Sequence, residues 1–146
     1  MCFRNKTIFR TTYHFKIMAT VKTIAAANAP KAVGPYSQAQ KVSGEAETLY
    51  VSGQLPINPA TATMPETIEE QTRQSLDNLG AILAEGGFSY DNVVKTTVLL
   101  DDIKDFAAMN AVYAEYFKGE KPARMCYEVA ALPMGAKVEI DCIAAK

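Results

Sequence analysis

The apolar stripe of Ile68, Thr72, Leu76, Leu79 and Leu83, with spacings of four and three, commits residues 68–85 to a helix with one buried face. Both ends of that helix are marked. Thr67, three residues before Glu70, has the spacing of a capping box, and Gly86-Gly87 supplies a left-handed stop. A helix with one apolar face needs a surface to bury it against, and the next segment offers one. Residues 93–100, VVKTTVLL, form a β-branched run bounded by Asp91-Asn92 and Asp101-Asp102, the pattern of a central strand. A second helix is expected over 103–117, where Phe106, Met109 or Asn110, Tyr113 and Phe117 share a face before Gly119 and Pro122 end it.

Strands flank this centre on both sides. Toward the N-terminus the first extended segment covers 21–25, and Pro30 and Gly34-Pro35 then mark irregular chain. Residues 38–43 and 48–52 flank Gly44-Glu45-Ala46-Glu47, a polar turn of hairpin length, so they are expected to pair with each other. The stretch 56–65 is rich in Pro, Thr and Ala without periodicity and reads as a surface loop. Toward the C-terminus, strands over 124–131 and 137–144 are joined by Leu132-Pro133-Met134-Gly135-Ala136. The order β-β-β-α-β-α-β-β gives an α/β (α+β) fold: one mixed sheet with both helices on one face.

The two-residue period of a strand then sorts the last segments. Val138, Ile140, Cys142 and Ala144 point one way, and Lys137, Glu139, Asp141 and Ile143 the other. On the preceding strand Met125, Tyr127 and Val129 oppose Arg124, Cys126 and Glu128. The expectation is a helix-free second face bearing both Arg124 and Glu139.

Composition narrows the chemistry. At 146 residues, 49% hydrophobic and 21% charged, the chain suits a single domain. Residues 1–17 carry Arg4, Lys6, Arg10 and Lys16 with no acid, so beyond them 11 basic residues face 16 acidic ones. That leader reads either as an upstream extension or as a mitochondrial transit peptide, and is set aside, leaving residues 18–146 as one domain. An acidic body gives no reason to expect a nucleic-acid or membrane-surface partner. No apolar run approaches the length of a membrane-spanning helix. Cys2, Cys126 and Cys142, odd in number and widely spaced, suit a reducing compartment; the expected location is the cytoplasm, or the mitochondrion if the leader addresses it. The single histidine, His14, lies in the leader, which leaves little material for a histidine-based zinc site or a histidine-activated nucleophile. No glycine-rich dinucleotide or phosphate loop is present. Neither a metal nor a cofactor is expected.

What remains is a guanidinium and a carboxylate on neighbouring strands, with Tyr36 in the irregular N-terminal segment. Arginine offers a planar fork that matches a carboxylate in two parallel hydrogen bonds, so Arg124 can anchor a small acid. It can equally form a structural ion pair with Glu128 or Glu139. Glu139 can belong to a solvated sheet face, Tyr36 can pack within its loop, and Cys126 can be an inert small core residue.

The surrounding segments decide between these readings. NAPKAVGPYSQA (28–39), VSGQLPINP (51–59), QTRQSLDNLGAIL (71–83), VVKTTVLLDDIKDFAAMNAVYAEYF (93–117) and PARMCYEVAALPMGAKVEIDCIA (122–144) resemble the RidA (YjgF) family in order and spacing. The last is the most specific, with Pro-Ala-Arg, Leu-Pro and Val-Glu-Ile in register. Asp141 stands where many members carry Glu. The resemblance implies a chorismate-mutase-like fold, a homotrimer and active-site clefts between subunits. It implies a cofactor-free hydrolase acting on 2-iminobutanoate, 2-iminopropanoate and related imine or enamine acids, released by pyridoxal-phosphate enzymes such as threonine dehydratase. Arg124 would hold the substrate carboxylate, Glu139 would handle the water and the departing nitrogen's proton, and Tyr36 would complete the cleft. Main-chain groups of Gly53 and Cys126 and the side chain of Asn110 would be further substrate contacts. Two other functions compete with this one. A translation inhibitor or endoribonuclease is disfavoured by the acidic body and the lack of histidine; a non-catalytic metabolite-binding or chaperone-like module would use Arg124 as an anchor and leave Glu139 structural.

Overall fold

The computed structural model describes residues 19–28, 31, 32 and 34–146, so the leader with Cys2 and His14 lies outside the described residues. Eight regular elements follow in order: β1 (Thr20–Ile24), β2 (Ala39–Ser43), β3 (Thr48–Gln54), α1 (Ile68–Glu85), β4 (Val93–Leu100), α2 (Phe106–Tyr116), β5 (Ala123–Glu128) and β6 (Val138–Ala145). The expected α+β class and the mixed sheet are present. That sheet is four-stranded, ordered β3-β6-β4-β5, with β5 parallel to β4 and the other pairs antiparallel. Parallel pairing of β4 with β5 requires a crossover, and α2 provides it.

Both helices bury the same sheet face. Leu76, Leu79 and Leu83 of α1, Met109 and Tyr113 of α2, Val98 and Leu100 of β4, and Val138, Ile140 and Cys142 of β6 form one core with almost no exposure. The α1 stripe is thus the buried one, Thr72 included; its hydroxyl donates to the Ile68 carbonyl at 2.7 Å. The N-cap is half of the expected box: Thr67 Oγ1 accepts from the Glu70 N–H at 3.2 Å, but Glu70 returns to the Thr67 hydroxyl rather than to its backbone. At the other end Gly87 carries the positive φ of +75°. The second helix starts later than its periodicity suggested. Asp102 accepts from the Lys104 N–H at 2.9 Å and draws Ile103–Asp105 into a tight turn ahead of α2.

One pairing differs from expectation. The β2–β3 hairpin does not form: β2 pairs with β1 in a separate two-stranded sheet, with Lys22 opposite Lys41, while β3 pairs with β6. The four residues between β2 and β3 do not close a tight turn. Reciprocal backbone bonds between Glu47 and Lys146, 2.9 and 3.1 Å, carry the chain away from β2 and onto β6. The β1–β2 ribbon instead reaches the far side of the sheet. Ser37 bridges Ala123 beside β5, and Gln40 donates to the Lys121 carbonyl at 2.6 Å. Strand β5 is also shorter than its alternation suggested, because Glu128 turns to accept from the Ile103 N–H at 2.8 Å. Among the described residues, no helix is long and apolar enough to cross a membrane.

Candidate active site

Arg124 lies on β5, directly opposite Thr96 of β4, which in turn lies opposite Cys142 of β6. Residues paired this way project from the same face, and Cys142 and Thr96 are both buried under the helices. Arg124 therefore belongs to the helix face. Its contacts agree: Nη1 donates to the Asn110 side-chain oxygen at 2.7 Å, and the guanidinium carbon lies 4.8 Å from the Tyr113 ring centroid and 5.7 Å from that of Phe106. Asn110, Tyr113 and Phe106 all come from α2. Tyr36 closes the remaining side, its ring centroid 5.6 Å from the same carbon. A cation among aromatic faces is attracted by their ring quadrupoles.

Glu139 lies three residues from Cys142 and opposite Leu99, whose other neighbour is Tyr127. An odd separation along a strand reverses the face, so Glu139 projects from the side without helices. The expectation that Arg124 and Glu139 share a face is thus overturned. Alternation holds within each strand, but pairing fixes the relative phase of two strands, and it aligns Arg124 with the core-facing set. An edge strand tolerates this because the long arginine stem can lie along apolar surface while its head stays at the rim.

The sequence-derived residues accordingly fall into two groups. Tyr36, Asn110, Arg124 and Cys126 gather on the helix side, Cys126 following Arg124 by two positions. Gly53 and Glu139 meet on the opposite face, where a Cβ built on Gly53 would fall 2.8 Å from the Glu139 carboxyl carbon. Two cavities adjoin these groups without joining them. One of about 510 Å³ is lined by Tyr36 with Ile24, Ala32 and Gln38, and one of about 490 Å³ by Gly53 with Leu55, Ile57 and Asn78. Neither is shared by Arg124 and Glu139.

The anticipated ion pairs of Arg124 are absent among the described residues: Glu128 caps the Ile103 turn, and the charge pairs are Arg73–Glu115, Lys104–Asp102 and Lys146–Glu47. An arginine whose polar partner among the described residues is a neutral amide keeps donors for an incoming acid. Burial pushes the Cys126 thiol up, with the nearby Arg124 charge pulling more weakly the other way, so at neutral pH it is a thiol rather than a thiolate. Asp141 accepts from the Thr97 N–H at 2.9 Å and is a structural group of the sheet. By sequence, Phe106 and Tyr113 are core positions of a helix. Their place around Arg124 was invisible until the crossover set α2 over β5. No group of three or more His, Cys, Asp or Glu residues among those described could hold a metal ion.

Residues 26–146 match the family described as Endoribonuclease L-PSP, the group also called RidA or YjgF. The chain belongs to the RidA (YjgF) family. A relative from Mus musculus named 2-iminobutanoate/2-iminopropanoate deaminase is 48% identical over 124 residues, covering 84% of this chain and 90% of its own. One of the same name from Bos taurus is 50% identical, covering 84% and 88%. Among solved RidA structures, the YjgF gene product of E. coli is 42% identical with a TM-score of 0.66, covering 86% of this chain and 98% of its own. A Thermotoga maritima protein titled a putative endoribonuclease is 45% identical with a TM-score of 0.67, covering 86% and 97%. The RidA match over residues 26–146 takes in Tyr36, Gly53, Asn110, Arg124, Cys126 and Glu139.

Proposed function

We propose that this protein is a cofactor-independent 2-iminobutanoate/2-iminopropanoate deaminase that hydrolyses 2-imino acids to 2-oxo acids and ammonia. The observation that carries the reading is identity of 48–50% to relatives of that name over 84% of the chain, together with a family match over residues 26–146 that takes in both Arg124 and Glu139. The chemistry is modest. Water adds to the C=N carbon, one of its protons passes to nitrogen, and collapse of the resulting carbinolamine forms the C=O and expels ammonia.

Each step has a group suited to it. Arg124, with Asn110 on one side and three aromatic rings around it, binds the substrate carboxylate through its fork. Glu139 takes a proton from the attacking water and returns one to the leaving nitrogen, contributing about 10² to 10⁴ in rate if it lies within hydrogen-bond reach. Tyr36 closes the cleft, while main-chain groups of Gly53 and Cys126 offer further contacts.

Because Arg124 and Glu139 leave the sheet on opposite faces, one copy cannot apply both to one small molecule. The site is completed when Arg124 of one copy meets Glu139 of another, and a closed homotrimer repeats that junction three times. The helix-free face suits such a contact: Tyr50, Met125 and Tyr127 are 75%, 51% and 43% exposed on it. The free thiols of Cys126 and Cys142 fit a reducing compartment such as the cytoplasm.

The test is loss of 2-iminobutanoate in an assay without added cofactor. Wild type is expected to accelerate it, and Arg124→Ala and Glu139→Gln each to abolish the acceleration while circular dichroism stays native. Mixing the two inactive variants should restore part of the activity, since mixed trimers contain junctions with both groups intact. Full turnover by either variant alone removes that residue from the mechanism.

A further inference from the structure

Gly53 sits in a β-bulge. Between Val51, paired with Cys142, and Gln54, paired with Ile140, strand β3 uses one more residue than β6. Bulges bend a strand and re-aim its neighbours' side chains. Here the bend brings the Gly53 Cα beneath Glu139. A Cβ at position 53 would fall 2.8 Å from the Glu139 Cδ and 3.1 Å from its Cγ, and nearer still to Oε1. Real Cβ atoms do not approach carbon so closely, so with any other residue at 53 the carboxylate has to leave.

The three atoms nearest to that Cβ position all belong to Glu139, and Gly53 does not occupy the left-handed region that favours glycine. The backbone therefore accepts alanine, and what is displaced first is one flexible side chain, that of Glu139. We propose that Gly53 is a positioning residue: the space above its Cα seats the Glu139 carboxylate, and its lack of a side chain selects the glutamate rotamer used for hydrolysis. The proposal rests on Glu139 being the water-handling group. It assigns Gly53 a role distinct from main-chain contact with substrate, since alanine keeps the same N–H and C=O.

The test uses the full chain and the cofactor-free imine assay on Gly53→Ala, Glu139→Asp, the double variant and Glu139→Gln. Gly53→Ala is expected to unfold near the wild-type temperature, to keep KM, which the Arg124 side sets, and to lose kcat by about a hundredfold, the scale of an ångström-sized misplacement. In the Glu139→Asp background, where the side chain is one bond shorter and the carboxyl carbon is drawn back from the closest approach to residue 53, the same substitution should cost less than about threefold, the non-additivity of groups in contact. Wild-type kcat in Gly53→Ala, with Glu139→Gln inactive, overturns the positioning role alone. An equal loss in both backgrounds, or a rise in KM instead of a fall in kcat, also overturns it, because the effect would not pass through the glutamate. Full activity of Glu139→Gln defeats the underlying reading instead.

Discussion

The hydroxyls of Thr96 and Tyr113 share a hydrogen bond of 2.7 Å in the core, at the base of the recess that holds the Arg124 guanidinium. Both residues are fully buried, so neither hydroxyl can turn to water. Tyr113→Phe removes one partner and leaves the Thr96 hydroxyl unsatisfied, at a cost of about 1–3 kcal/mol. Urea unfolding of the two proteins should show that difference. The double variant Tyr113→Phe/Thr96→Val, with both polar ends gone, should recover part of it.

Asn110 is the polar partner that fixes the Arg124 fork, 2.7 Å from Nη1. A hydrogen bond to a charged group is worth about 1.5–3 kcal/mol, so Asn110→Ala is expected to lower kcat/KM for 2-iminobutanoate at least about tenfold. The loss should appear mainly in KM, because orientation of the acid is what suffers. Steady-state kinetics over a range of imine concentrations separates the two.

Leu79 is fully buried where α1 meets the sheet. Leu79→Ala leaves a cavity between rigid layers and should destabilise the fold by about 2–5 kcal/mol. Equilibrium denaturation measures this directly. A change below about 1 kcal/mol would mean that the helix closes onto the gap.

Alkaline pH should weaken the fold. Burial pushes the Cys142 thiol from its ordinary value of 9.0 up to about 12, and raises Cys126, Tyr90 and Tyr113 as well. The unfolded chain then releases its Cys142 proton near pH 9, while the folded chain keeps it until about pH 12. The corresponding stability is fully present below pH 9 and is lost as pH rises toward 12. Unfolding free energies from neutral pH to about pH 11 should fall along that limb, and less steeply in Cys142→Ala.

Much of the fold was legible in local sequence. The stripe from Ile68 to Leu83, with Thr67 before it and Gly86-Gly87 after it, defined α1 to the residue, and the β-branched run defined β4. Each rests on short-range physics: helical or strand periodicity, caps and turn residues, all within a few positions along the chain. The alternation in β6, with Val138, Ile140, Cys142 and Ala144 buried, was legible for the same reason. Arg124 and Glu139 stood out by residue type and by the motifs that flank them.

Relations between distant segments were another matter. The turn after β2 carries hairpin chemistry, yet β3 joins β6, because the Glu47–Lys146 pairing competes for the same strand. Periodicity told which residues of β5 alternate but not which set faces the helices, and only the Thr96 pairing put Arg124 beside Asn110 and Tyr113. Sequence alone thus determined the elements and the kinds of chemical group, since those depend on neighbours along the chain. Tertiary structure decided which strands pair, which face each group occupies and that Gly53 lies under Glu139, because register and phase are set by contacts between residues far apart in sequence.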